Sequence, residues 1–182
     1  MMKDTATQYK AIIERCKGMF EAKMKDYGPA WRILRTPSLT DQIYIKANRI
    51  RTLQMKGLRM VDEDIDLEFI GIINYAAMAI NQLRLGIVDM PDLKPAKAAE
   101  IHAAVLEEAF ALMEKKNHDY DEVWRRMRLS SLTDIILMKL LRVKQIEDNE
   151  GNTVISEGLD ANFFDIINYA VFALILLSEK EE

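Results

Sequence analysis

Cysteine is nearly missing from this chain. The single Cys16 permits no internal disulfide and no cysteine metal cluster, and it reads as a small core residue. Glycine and proline are scarce, 7 and 4 in 182 residues, which leaves little punctuation for a turn-rich all-β fold. No cationic surplus exists either: 25 Lys plus Arg face 29 Asp plus Glu, a formal net charge of -4. Sequence-indifferent nucleic-acid binding rests on such a surplus, so nucleic acid is not an expected partner. The opening MMKDTATQYK lacks the apolar core of a signal peptide. The longest apolar stretch, Phe163 to Leu177, contains Asp165 and Asn168 and reads as too short and too polar to span a bilayer. A cytoplasmic protein without membrane association is expected. What is present, 49% hydrophobic and 30% charged residues, is an ordinary globular composition on a chain long enough for one continuous core.

The chain is written twice. Lys25-Asp26-Tyr27-Gly28-Pro29-Ala30-Trp31-Arg32 returns, 93 residues on, as His118-Asp119-Tyr120-Asp121-Glu122-Val123-Trp124-Arg125. At the same shift Arg35 meets Arg128, Ser38-Leu39-Thr40-Asp41 meets Ser131-Leu132-Thr133-Asp134, Lys46 meets Lys139 and Arg49 meets Arg142. One extra residue then makes the shift 94, and Glu63 meets Glu157, Asp66 meets Asp160, and Ile72-Ile73-Asn74-Tyr75-Ala76 meets Ile166-Ile167-Asn168-Tyr169-Ala170. Residues 1–90 form a first repeat and 91–182 a second, divided at the link holding Pro91 and Pro95.

Each repeat reads as three helices. Tyr9, Ile12, Ile13, Cys16, Met19, Phe20 and Met24 recur at three- and four-residue steps, an amphipathic stripe. Ser38 and Asp41 resemble a capping box opening a second helix to about Met55, and a third runs from about Asp64 to Leu85. The second repeat predicts helices over about 96–116, 132–147 and 158–179, with a turn or small hairpin at 148–153. The fold class is all-α, two three-helix halves packed into one bundle about a pseudo-twofold axis, with the apolar last helix of each half at the centre.

Central burial makes Asp165 and Asn168 informative, because a buried carboxylate must be paired, hydrogen-bonded, metal-bound or neutralised. At about 100° per residue, Glu157, Asp160, Asp165 and Asn168 fall within roughly 140° of arc if the helix begins early enough to include Glu157. Glu157, Asp160 and Asp165 with the Asn168 amide would suit Mg²⁺, a hard cation that takes oxygen ligands. On the preceding helix Lys139 and Arg142 share a face behind Asp134. Arg125 and Arg128, on the turn with Tyr120 and Trp124, would hold phosphates while the aromatics stack a base. The competing reading is structural: Lys139 and Arg142 neutralise Asp160 and Asp165, Trp31 and Trp124 anchor the core, and Asp41 and Asp134 are caps. The repeats differ where Asp165 aligns with Gly71 and Asn162 with Glu68. A fold requirement would recur in both halves, so the mid-helix carboxylate favours one functional site in the second half and a scaffold role for the first.

Asn117-His118-Asp119-Tyr120 with Trp124, then Ser131-Leu132, Lys139 and Arg142, then Ser156-Glu157-Gly158-Leu159-Asp160 and Asp165-Ile166-Ile167-Asn168-Tyr169-Ala170, resembles the nucleotide-modification-associated domain of bacterial and phage proteins. The closing helix is also similar, more distantly, to the acidic helix of the MazG-like all-α nucleotide pyrophosphohydrolases. That group binds Mg²⁺ through Glu and Asp residues on two helices. Its Glu-x-x-Glu is replaced here by Lys139 and Arg142, and its Glu-x-x-Asp by Asp165 and Asn168. The resemblance implies metal-assisted hydrolysis of nucleoside triphosphates to monophosphate and pyrophosphate. Mg²⁺ held by Glu157, Asp160 and Asp165 would polarise a phosphoryl oxygen, Lys139, Arg142 and Arg125 would neutralise charge, and Tyr120 or Trp124 would contact the base. A nucleotide or other phosphorylated small molecule is the expected partner, and pairing into a homodimer through an outer helix face is a further expectation. The competing classes are a non-catalytic helical binding or assembly module whose polar network only fixes packing, and a nucleotide sensor that binds through the same residues without hydrolysis.

Overall fold

The computed structural model describes residues 4–57, 62–154 and 157–180. Ser156 and the side chain of Glu63 lie outside the described residues. Among the described residues six long helices form: α1 (Thr5–Tyr27), α2 (Thr36–Lys56), α3 (Asp62–Leu85), α4 (Pro95–Tyr120), α5 (Leu129–Asp148) and α6 (Leu159–Lys180). Two short 3-10 turns, Ala30–Ile33 and Val123–Arg126, carry Trp31 and Trp124 between the first two helices of each half. No strand occurs among the described residues. The segment after α5 is a turn and not a hairpin: the Gly151 N–H donates to the Ile146 carbonyl at 2.8 Å, and the Asn149 and Asn152 amides each donate to the other's carbonyl.

The helix ends depart from the expected signals. No capping box forms at Ser38 and Asp41. Instead α2 opens at Thr36 with Pro37 in its first turn, where a fixed φ and a missing N–H cost nothing. Asp41 reaches across to Lys144 of α5 at 3.2 Å. Helix α4 runs one turn beyond the expected end and stops at Asp121, whose left-handed φ of 50° sits where the first half has Gly28 at 70°.

Equivalent helices meet across the pseudo-twofold: α1 packs on α4, α2 on α5 and α3 on α6. The halves are also interlocked, since α1 lies against α6 and α4 against α3. One core cluster therefore draws residues from all six helices. Helix α6 is buried along most of its length, including Phe163, Ile166, Ile167, Val171 and Leu174. Its 22 residues are long and apolar enough to cross a bilayer on length and composition, but 72% of its most apolar window is buried within the bundle, as a central core helix requires.

Candidate functional site

Asp165 projects from the middle of α6 with its side chain 13% exposed, and two ammonium groups hold it. Lys116 of α4 donates to Oδ1 at 2.6 Å and Lys139 of α5 to Oδ2 at 2.9 Å. Burial alone would raise its pKa, but the two lysines outweigh burial and hold the carboxyl below its ordinary range. Lys116 is raised in turn: burial opposes its charge, and Asp165, helped by Glu157, prevails. Lysine pairing by Lys139 was readable from the sequence. Lys116 was missed, because it lies on the long repeat-opening helix with no periodic signal to mark it.

The first half contains the counterpart of this network, which corrects the argument from asymmetry. Glu68 of α3, one turn before Gly71, pairs with Lys46 at 3.7 Å and Arg49 at 2.7 Å. Lys46 lies directly over Gly71, so that a Cβ there would stand 2.6 Å from its Cε. The carboxylate has thus moved by one helical turn between the repeats, from the Glu68 position to the Asp165 position. The move changes what the cations do. Arg49 is neutralised, whereas Arg142, facing Asn162 in place of a glutamate, has no hydrogen bond or ion pair with any described residue.

Two clefts adjoin at this point. An aromatic cleft of about 510 Å³ is lined by Tyr120, Trp124, Tyr169 and Phe172, by the methionines Met113 and Met127, and by Lys116, Asn117, Glu157, Asp165 and Asn168. A polar cleft of about 670 Å³ lies where α5 ends and α6 begins, lined by Lys139, Arg142, Gln145, Asn149, Asn152 and Glu157. Glu157 borders both, and the Lys139–Asp165 bond links the wall of one to the wall of the other. Asn168, 6% exposed, accepts a 2.5 Å hydrogen bond on Oδ1 from the Tyr9 hydroxyl, which enters from α1 of the other half. Tyr9 had shown only as a member of an apolar stripe.

Several expected site residues fall elsewhere. Arg125 is consumed by Glu122, Glu179, Thr5 and Gln8, and it borders a separate cleft with Arg128. Trp124 is 5% exposed, stacked parallel on Phe172 at 4.2 Å with the Arg125 guanidinium 4.5 Å from the ring centroid, so it is a packing residue first. Its indole N–H lacks a partner among the described residues, but so does that of Trp31, which makes this a property of the repeat and not a mark of a ligand. Tyr120, 71% exposed at the rim, remains a free aromatic face. Asp134 faces Arg51 at 3.8 Å.

The set proposed for Mg²⁺ does not assemble. Helix α6 begins at Leu159, so Glu157 precedes it and the common arc fails. Asp160 is exposed and borders neither cleft, and both oxygens of Asp165 carry ammonium donors. Among the described residues no three His, Cys, Asp or Glu side chains form a metal-binding group. The donor chemistry here suits an anion near Arg142 better than a resident cation near Asp165.

A family model described as nucleotide modification associated domain 1 matches residues 23–83 and again 116–177, more than half of the chain and once in each repeat. The double match accords with the internal duplication. No curated protein and no solved structure matches.

Proposed function

The chain belongs to the nucleotide modification associated domain 1 family, and from that premise we propose that it binds a nucleotide across the two adjoining clefts. The base lies in the aromatic cleft beside Tyr120 and Tyr169, and the phosphates lie against Arg142 and Lys139. Aromatic faces give a planar ring area and dispersion, and a guanidinium meets phosphate oxygens in a fixed bidentate geometry. The observation that carries the reading is Arg142: the repeat has kept the cation and withdrawn its carboxylate, in the wall of a polar cleft that shares Glu157 with an aromatic one. Magnesium enters only as the counter-ion that a nucleotide's phosphates bring with them. A cytoplasmic setting, where nucleotide pools lie, suits this role.

Hydrolysis to monophosphate and pyrophosphate, after the manner of the MazG-like group, is the narrower reading. It needs a carboxylate free to orient water beside the phosphates. Asp165 is committed to its lysines, but Glu157 borders both clefts and pairs with no described residue. The structural reading also has an observation in its favour, since Lys46, Arg49 and Glu68 form a mutually paired ion cluster in the first half.

One experiment separates the three. Ligand bound to the native state raises apparent stability, so a thermal-shift series with nucleoside mono-, di- and triphosphates, each with and without Mg²⁺, reports binding. Assay of the same mixtures for phosphate and pyrophosphate reports turnover. Binding is expected, with loss on Arg142→Ala. A folded wild type that shifts with no nucleotide would leave only the structural reading.

A further inference from the structure

Asn74 and Asn168 occupy equivalent positions in α3 and α6, yet only one has its amide fully used. The Asn74 Nδ2 donates to the Cys16 carbonyl at 3.2 Å, and its Oδ1 faces His102 Nε2 at 2.9 Å. Asn168 keeps the second of these bonds, with Tyr9 standing where the other half has His102, but its Nδ2 has no partner among the described residues. The side chain is 6% exposed and borders the aromatic cleft. The nitrogen itself is not fully buried, so it is open to the cleft, where an acceptor on a ligand can take the place of water.

We propose that the Asn168 Nδ2, fixed by the Tyr9 hydroxyl, donates to a hydrogen-bond acceptor on the ring held in the aromatic cleft. The ligand class is then a compound bearing a nucleobase, and a bare phosphorylated sugar lacks the recognised edge. This rests on the nucleotide reading above and narrows it. Every nucleobase presents a ring nitrogen or carbonyl oxygen that can accept. The cleft supplies the rest of the fit: Tyr120 and Tyr169 flank the ring space, and Asn117, whose own Nδ2 is turned to the Met113 sulfur at 3.1 Å, leaves its Oδ1 to meet a base donor. Tyr9 is a positioning residue. Its hydroxyl occupies the Asn168 Oδ1 and so turns the nitrogen of the same amide away from Tyr9. In the first half the equivalent nitrogen, that of Asn74, is given a backbone acceptor, the Cys16 carbonyl.

The test is calorimetric titration of AMP, GMP, CMP, UMP and ribose 5-phosphate into the full chain, as wild type, Asn168→Leu, Tyr9→Phe and Asn74→Leu. In wild type at least one nucleotide should bind about tenfold or more tightly than ribose 5-phosphate, the worth of one well-made buried hydrogen bond with stacking. Asn168→Leu should reduce that preference to about threefold or less while ribose 5-phosphate binding stays unchanged. Tyr9→Phe keeps its ring against Phe110, so it should fold even where Asn168→Leu does not, and it should weaken the preference in the same direction. Asn74→Leu should lower the melting temperature and leave the preference intact. Equal binding of ribose 5-phosphate and nucleotides by wild type, or an undiminished preference in the two cleft variants, overturns the role of Asn168 while nucleotide binding stands. Failure of wild type to bind any of the five compounds overturns the nucleotide reading itself, and this inference with it.

Discussion

Tyr9 and His102 occupy equivalent places in α1 and α4, 93 residues apart in sequence, and each reaches to an asparagine on a central helix. Tyr9 crosses from the first half to Asn168 in the second, and His102 crosses from the second half to Asn74 in the first. The opening helix of each repeat therefore completes the polar core of the other. Each half thus takes from the other one hydrogen bond to its central asparagine, which ties the two copies into one body.

His102 makes that exchange sensitive to acid. It is 1% exposed, stacked on Phe20 at 3.8 Å, and burial, reinforced by the charge of Lys17, lowers its pKa from 6.5 to about 3. The unfolded chain thus binds a proton below about 6.5 that the folded chain refuses. The stability that neutral His102 contributes is full above that pH and is lost as pH falls toward 3. Urea denaturation of wild type and His102→Gln from pH 7 to pH 4 should show wild type losing on the order of 1 kcal/mol more per pH unit below about 6. Parallel lines for the two proteins would mean that the imidazole is not held neutral.

Asp165→Asn removes the carboxylate that bridges Lys116 and Lys139. The loss should be about 1–2 kcal/mol at pH 7, less than a fully buried pair would cost, because Lys116 is more than half exposed and water screens it. The folded carboxyl has a depressed pKa, so its contribution is present above the ordinary value of 3.8 and disappears as pH falls through the lower folded value. Wild type and Asp165→Asn should accordingly converge in stability in chemical denaturation as pH is taken progressively below 3.8. A gap that persists undiminished in acid would show that shape, not charge, sets the cost.

Much of the architecture was legible because it depends on period and repetition. The stripe from Tyr9 to Met24 and the paired Ile-Ile-Asn-Tyr-Ala runs state helix, duplication and centrality without any need of side-chain geometry. The site was legible only in part. Lys139 and Asp165 lie on neighbouring helices at readable spacing, but Lys116 comes from α4 and Tyr9 from α1 of the opposite half, and no local pattern encodes a crossing of that kind. The expected carboxylate arc failed for a local reason, since Gly158 precedes the first turn of α6 and leaves Glu157 off the helix. The asymmetry of Asp165 and Gly71 was visible, but its meaning was not. Only the packed structure shows that Glu68 serves Lys46 and Arg49 from one turn away.

The repeat also supplies a stabilising substitution. Asp121 ends α4 at a left-handed φ of 50°, and the first half places Gly28 at the same point. An L-residue pays roughly 1 kcal/mol for that conformation, somewhat less for Asp, and its side chain makes no hydrogen bond or ion pair with described residues. Asp121→Gly should raise stability by about 0.5 kcal/mol after allowance for the greater freedom of glycine in the unfolded chain. A fall in melting temperature would indicate that Asp121 is held by an interaction that the helix end does not reveal.

Arg142 and Arg49 provide the sharpest contrast between a cation kept for packing and one kept for a ligand. Arg49 meets Glu68 at 2.7 Å, half exposed, so Arg49→Ala should cost under about 1 kcal/mol and leave ligand affinity alone. Arg142 is exposed and unpaired among the described residues, so Arg142→Ala should change stability by no more than about 0.5 kcal/mol. Its removal should nonetheless weaken nucleotide affinity about tenfold, as loss of a charge-assisted phosphate contact does. The weakening should shrink as salt is raised, because an exposed guanidinium acts through a screened field. Calorimetry on both variants at low and high salt checks the pair. Equal losses of affinity at positions 49 and 142 would mean that net charge, and not the vacated carboxylate position beside Asn162, governs binding.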